Sequence, residues 1–87
     1  MSMRKRRIQI DEANNLVYLW NNYGCANYFK VKKQDGNFYL AEVLSINRLK
    51  QLARLYGMTN FDGKTSDDLV TYIFGDAVKP LSQIGGS

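Results

Sequence analysis

The chain has 87 residues, of which 45% are hydrophobic and 13% aromatic, and it carries a net charge of +4. That size fits one domain with its own core, and no stretch approaches the roughly 18 to 20 apolar residues that span a bilayer. A single cysteine, Cys25, and the absence of histidine exclude an intramolecular disulfide and a Cys/His zinc site.

In chain order, residues 1–7 read as a basic flexible arm, because Arg4, Lys5, Arg6 and Arg7 form one block of like charge. They resemble the start of a signal peptide, but Ile8-Gln9-Ile10-Asp11-Glu12 follows where a continuous apolar run would be needed. The expectation is a soluble, cytoplasmic protein that is not exported. Residues 8–80 then read as a single α+β domain, with 8–44 rich in strands and 45–74 a helix-loop-helix, and 81–87 follow it as a flexible tail.

Residues 11–23 admit two readings. Ala13, Leu16, Val17 and Trp20 recur at helical spacing, with Asp11 to cap the helix and Gly24 to end it. Against a helix stand the strand-prone Val17-Tyr18-Leu19-Trp20 and the four asparagines Asn14, Asn15, Asn21 and Asn22. The preferred alternative pairs Arg7 to Ile10 with Leu16 to Trp20 across a turn at Asp11 to Asn15, where Asn tolerates the left-handed region.

The next element is clearer. Asp35-Gly36 supplies the positive φ angles of a two-residue type I′ turn, so Lys33 should face Phe38, Val31 should face Leu40, and Phe29 should face Glu42. Phe29, Val31, Phe38 and Leu40 then share the buried face. Lys30 and Lys32 fall on the other face with Tyr28, Tyr39, Ala41 and Val43. Together these elements predict a small antiparallel sheet of three or four strands.

Ser45 reads as an N-cap, and Ile46, Leu49, Leu52, Ala53 and Tyr56 form an apolar stripe at helical spacing that Gly57 ends. Thr59 to Lys64 holds the loop formers Asn60, Asp62 and Gly63. A second helix begins at Thr65 or Ser66, places Asp67 and Asp68 in its first turn where the helix dipole favours acids, buries Leu69, Val70, Ile73 and Phe74, and stops at Gly75. Pro80 and the terminal Gly85-Gly86-Ser87 look like a tail that is at least partly disordered.

Chemistry-bearing residues are few. Without histidine the commonest general base is missing, and Cys25 has no evident base to activate it, so it reads as a small semi-buried hydrophobe. Asp62, Asp67 and Asp68 are better explained by loop polarity and capping than by magnesium, and Gly63-Lys64-Thr65 matches only the end of a P-loop. No catalysis, no cofactor and no metal are expected.

What remains is charge and aromaticity. Basic residues gather in the arm, at Lys30, Lys32 and Lys33, and at Arg48, Lys50 and Arg54, whereas the chain after Arg54 is acidic. Such an asymmetry suits a polyanion or an acidic protein surface. Lys50 and Arg54 are four apart and project from one helix face with Asn47 and Gln51, and loop amides with a helix N-terminus can donate to phosphate. Tyr28 and Tyr39 between Lys30 and Lys32 suggest a base-stacking platform with a charged surround.

Leu49-Lys50-Gln51-Leu52-Ala53-Arg54-Leu55-Tyr56-Gly57-Met58, the loop with Gly63-Lys64, and Asp68-Leu69-Val70-Thr71-Tyr72-Ile73 resemble the helix, extended loop and helix motif of the SAP, LEM-like and Rho N-terminal families. The resemblance covers residues 45–74. It implies nucleic-acid binding for SAP-like and Rho-type modules and protein binding for LEM-type ones, carried here by Lys50, Arg54, Gly63-Lys64 and the start of the second helix. The departures are a loop one residue longer than the usual SAP spacing and the acids Asp67 and Asp68.

The expected function is a non-catalytic nucleic-acid-binding protein contacting DNA or RNA through Arg4, Lys5, Arg6, Arg7, Lys30, Lys32, Lys50, Arg54 and Lys64, with Tyr28 and Tyr39 as stacking or partner contacts. The alternative is an adaptor or inhibitor, of a kind that a phage could encode, that binds an acidic host protein. No membrane partner is expected.

Overall fold

Alternation along the first 40 residues writes out a four-stranded antiparallel meander. The computed structural model describes residues 7–21 and 23–83. Strands β1 (Arg7–Asp11), β2 (Leu16–Trp20), β3 (Ala26–Gln34) and β4 (Asn37–Leu40) lie side by side in that order, and helices α1 (Ile46–Leu55) and α2 (Ser66–Phe74) follow. The α+β class and the strands-then-helices order are as the sequence predicts.

The first hairpin wins over the helix. Arg7 pairs with Trp20 and Asp11 with Leu16, and the turn between them is closed by Asn15 at φ 55°, a left-handed conformation that asparagine adopts at low cost. The Asp11 carboxylate accepts from the Asn14 backbone N–H at 3.3 Å and from its side-chain amide at 2.9 Å. Asparagine and aspartate thus satisfy the turn locally, where a helix would have left them idle on its surface.

The Asp-Gly hairpin also forms in the expected register, with Val31 opposite Leu40 and Lys33 opposite Phe38. Both turn residues have positive φ, 52° at Asp35 and 83° at Gly36, as a type I′ turn requires. One expected pair is different. Strand β4 stops at Leu40, so Glu42 does not face Phe29 as a strand residue. Its carboxylate instead accepts the Lys30 N–H at 2.7 Å, replacing the ladder carbonyl that the ended strand no longer offers.

Strand β3 is the longest because it serves two neighbours in succession, with Ala26 to Lys30 paired to β2 and Val31 to Gln34 paired to β4. The sheet's inner face carries Ile8, Ile10, Val17, Leu19, Phe29, Val31 and Leu40, and both helices pack on it through Leu49, Leu52, Ala53, Tyr56, Leu69, Val70, Ile73 and Phe74. Phe29 and Phe74 meet edge to face, with ring centroids 5.8 Å apart, and join the sheet to α2. Burying one such side chain contributes about 1.5–3 kcal/mol.

Each helix starts where the sequence marks it. Ser45 Oγ accepts from the Arg48 N–H at 3.1 Å, and Thr65 forms a reciprocal capping box with Asp68. Helix α1 closes through Tyr56 into Gly57 at φ 105°, a value that glycine accommodates. The Tyr72 hydroxyl then donates to the Tyr56 carbonyl at 2.7 Å and ties α2 to the end of α1.

After α2 the chain turns back to the sheet. The Lys79 N–H donates to the Phe38 carbonyl at 2.9 Å and the Lys79 carbonyl accepts from Leu40 at 3.0 Å, so Lys79 bridges the outer edge of β4. Pro80 is buried, and Leu81–Gln83 form a short 3-10 turn whose Ser82 hydroxyl donates to Asp67. Composition alone suggests a loose tail here. Val78 and Pro80 are nonetheless buried against the body of the domain, next to the turn at Leu81–Gln83.

Candidate nucleic-acid interface

Because both helices take the inner face, no helix among the described residues covers the outer face of the sheet. Residues alternate with period two along each strand, so Gln9 of β1, Tyr18 and Trp20 of β2, and Ala26, Tyr28, Lys30 and Lys32 of β3 share that outer face. Tyr28 is directly opposite Tyr18, with ring centroids 5.9 Å apart, and Tyr18 stacks on Trp20 at 6.2 Å. The Trp20 indole N–H donates to Gln9 Oε1 at 3.2 Å, which fixes the orientation of the ring. Tyr28 is 64% exposed, and Lys30 and Lys32 are exposed.

Tyr39 is a correction. It pairs with Lys32, and strand alternation predicts it on the exposed face, yet it is only 7% exposed, because the returning segment around Lys79 runs along β4 and bridges it. Its place beside Tyr28 is taken by Tyr18 and Trp20. The alternation Leu16-Val17-Tyr18-Leu19-Trp20 contains the signal for them, since Val17 and Leu19 inward put Tyr18 and Trp20 outward.

A second basic group forms on α1 and the loop after it. The Arg54 guanidinium lies 5.3 Å from the centre of the Phe61 ring and the Lys50 ammonium 5.9 Å from it, so one ring gathers two cations. Asn47 and Gln51 are exposed beside them. Phe61 opens a four-residue turn, closed by the Lys64 N–H donating to its carbonyl at 3.1 Å with Gly63 at φ 73°. Lys64 is therefore held at the far end of the turn whose first residue contacts Lys50 and Arg54. The sequence alone does not single out Phe61; a lone loop phenylalanine shortly before Gly-Lys is a weak signal.

Carboxylates, by contrast, are largely engaged within the fold. Asp11 bonds Asn14, Glu42 holds the Lys30 N–H, Asp67 accepts from Ser82, and Asp68 accepts the Thr65 N–H at 2.9 Å. The hydrogen bonds from the Thr65 backbone and side chain, with Lys64 nearby, hold the Asp68 carboxyl below the ordinary aspartate range. Among the described residues the one ion pair is Lys33 with Glu12 at 2.6 Å. Lys33 also lies 5.7 Å from the Phe38 ring, and the Arg48 guanidinium donates to Asn27 at 3.2 Å.

The other sequence expectations fall as follows. Arg4, Lys5 and Arg6 lie outside the described residues, and the Arg7 backbone forms the start of β1. Cys25 is exposed rather than semi-buried, because it sits in the turn between β2 and β3, where the Asn21 carboxamide accepts from the Tyr23 and Cys25 N–H groups. A cavity of about 150 Å³ opens between Leu40, Leu49, Val70, Pro80 and Leu81. Small-molecule sites begin near 300 Å³. No helix among the described residues is long and apolar enough to cross a membrane, and no cluster of three potential metal ligands occurs among them.

No family model matches the chain, and no curated protein or solved structure matches it significantly.

Proposed function

We propose that the protein binds nucleic acid without catalysing a reaction on it, contacting phosphates through Lys30, Lys32, Lys50, Arg54 and Lys64 and through the arm Arg4, Lys5, Arg6 and Arg7. The observation that carries this reading is the unequal use of charge. Asp11, Glu42, Asp67 and Asp68 accept hydrogen bonds from backbone or neutral partners, whereas none of those five cations forms an ion pair among the described residues, Lys64 being only near Asp68. Cations not spent on internal pairs are available to an external polyanion, and each phosphate they neutralise releases counterions.

The turn from Phe61 to Lys64 supports the reading further. Two cations gathered on one ring lose less freedom when they engage phosphate than two long side chains waving independently. Lys64 extends the same surface along the turn.

Fluorescence anisotropy with labelled DNA and RNA across a salt series tests the proposal. Log affinity should fall linearly with log salt, and reversing charge at Lys50 and Arg54 to Glu should make the slope shallower by about two, close to one for each phosphate no longer neutralised. The proposal fails if binding to both DNA and RNA stays weaker than about 100 μM at low salt, since nonspecific binders reach roughly that level at physiological salt. It fails as well if a protein partner, captured from lysate, survives nuclease treatment while oligonucleotides show no binding.

A further inference from the structure

We propose that the outer face of the sheet is a stacking platform for single-stranded nucleic acid, on which Tyr28, Tyr18 and Trp20 serve as successive rungs. This deepens the nucleic-acid reading above and rests on it. It concerns a surface separate from the Lys50, Arg54 and Lys64 group.

Register builds the platform. Tyr28 and Tyr18 are cross-strand partners, and Trp20 follows Tyr18 two residues along β2, so strand pairing and strand periodicity place three rings on one face as a connected corner, one step across the strands and one along β2. The residue opposite Trp20 is Ala26, too small to cover the indole from the neighbouring strand. On the other side Gln9 stands opposite Tyr18 and accepts the indole N–H, so the Trp20 ring is held in place before any ligand arrives. Preorganised rings lose little freedom when a base settles on them.

Spacing selects the strandedness. Neighbouring rings are 5.9 and 6.2 Å apart, whereas nucleotides along one strand of a duplex advance by about 3.4 Å. Bases can reach successive rings only on a stretched strand whose own stacking is broken. A duplex, with its base faces already covered, would touch the lysines alone.

Charge supplies the complement. Lys30 and Lys32 follow Tyr28 along β3 on the same face, at steps of about 6.6 Å. Neither pairs with a carboxylate among the described residues. A strand stacked on Tyr28 thus finds cations beside its phosphates at that end of the group, the combination by which sequence-tolerant single-strand binding works.

Trp20 is the only tryptophan, so its emission reports directly on the platform. The full chain is titrated with oligo-dT and oligo-U of about 12 nucleotides, a length within single-strand site sizes, and with a duplex and heparin at matched salt. Single strands should quench Trp20 and bind more tightly than the duplex. Tyr28→Ala, at an exposed position, should weaken single-strand binding about fivefold to a hundredfold, the range for one base–aromatic stack, and leave duplex and heparin binding unchanged. Equal binding of heparin, duplex and single strands with unaltered Trp20 emission would overturn the platform while leaving the phosphate-binding reading intact. Absence of binding to every one of these probes would overturn both.

Discussion

Replacing Phe61 with leucine separates the organisation of the basic surface from its charge. The ring lies 5.9 Å from the Lys50 ammonium and 5.3 Å from the Arg54 guanidinium, and is half-buried at the start of the turn that ends in Lys64. Leucine keeps the apolar contact with the domain and removes the ring quadrupole. Each cation–ring contact at an exposed site is worth about 0.5–1 kcal/mol, so the pair contributes roughly 1–2 kcal/mol. Thermal unfolding of a domain this size should then shift downward by about 4–8 °C for each kcal/mol removed. If the same energy is what orders the two side chains for phosphate, affinity should fall by about fivefold to thirtyfold. The charges themselves remain, so the slope of log affinity against log salt should not change. Anisotropy at several salt concentrations and a melting curve measure all three quantities. Unchanged affinity in a variant with the expected loss of stability would refute the idea that Phe61 organises the cations. A slope altered by a full unit would show that leucine has displaced a phosphate contact, which the reasoning excludes.

Other consequences follow from single contacts. Thr65→Ala removes the hydroxyl that accepts the Asp68 N–H, and should destabilise the domain by about 1 kcal/mol in urea unfolding without changing the m-value. The Asp68 carboxyl is held below its ordinary range by hydrogen bonds from Thr65, so its contribution is fully present above the unfolded value of about 3.9 and is lost as pH falls through the lower folded value. Melting temperature should drop over that acid range, and Asp68→Asn should flatten the Asp68 part of the drop. Tyr72→Phe deletes the donor to the Tyr56 carbonyl and should cost about 0.5–1.5 kcal/mol, the net worth of the hydrogen bond that ties α2 to α1, read as a lower urea midpoint.

Local chemistry decides what can be read from the sequence. Asp35-Gly36 announces its turn because both residues must take positive φ, and Ser45, Gly57, Thr65 and Gly75 mark helix ends through groups that act within four residues. The inner face follows from period-two and helical spacing, and Leu69, Val70, Ile73 and Phe74 are buried as the stripe requires. Sequence and structure part where distant segments meet or where a strand ends. Tyr39 belongs by alternation to an exposed face, but a segment some forty residues later bridges its strand. Glu42 belongs by register to a strand that has already ended, and Cys25 follows the exposure of its turn rather than its own apolar character. Phe61 is illegible for a related reason: its meaning comes from Lys50 and Arg54, brought to it by the path of the loop.

The placement of the two surfaces makes ligand length informative. Helix α1 packs on the inner side of the sheet, so the Lys50 and Arg54 group belongs to a different layer of the fold from the outer-face Tyr28, and the smallest extent of the chain is 21 Å. At about 6 Å per nucleotide, the spacing of the aromatic rings, a strand occupying the three rungs needs roughly four more nucleotides to cover a distance equal to that extent. Very short oligonucleotides should therefore sense Tyr28→Ala and ignore charge reversal at Lys50 and Arg54. Longer ones should respond to both, with an affinity gain on lengthening that exceeds one added phosphate contact, because the second surface is engaged at the high effective concentration set by the first. Titrating a length series of oligo-dT against the wild-type chain and the two variants measures this. A smooth, length-independent sensitivity to the Lys50 and Arg54 reversal would mean that both surfaces meet the same few nucleotides, which the position of α1 behind the sheet does not allow.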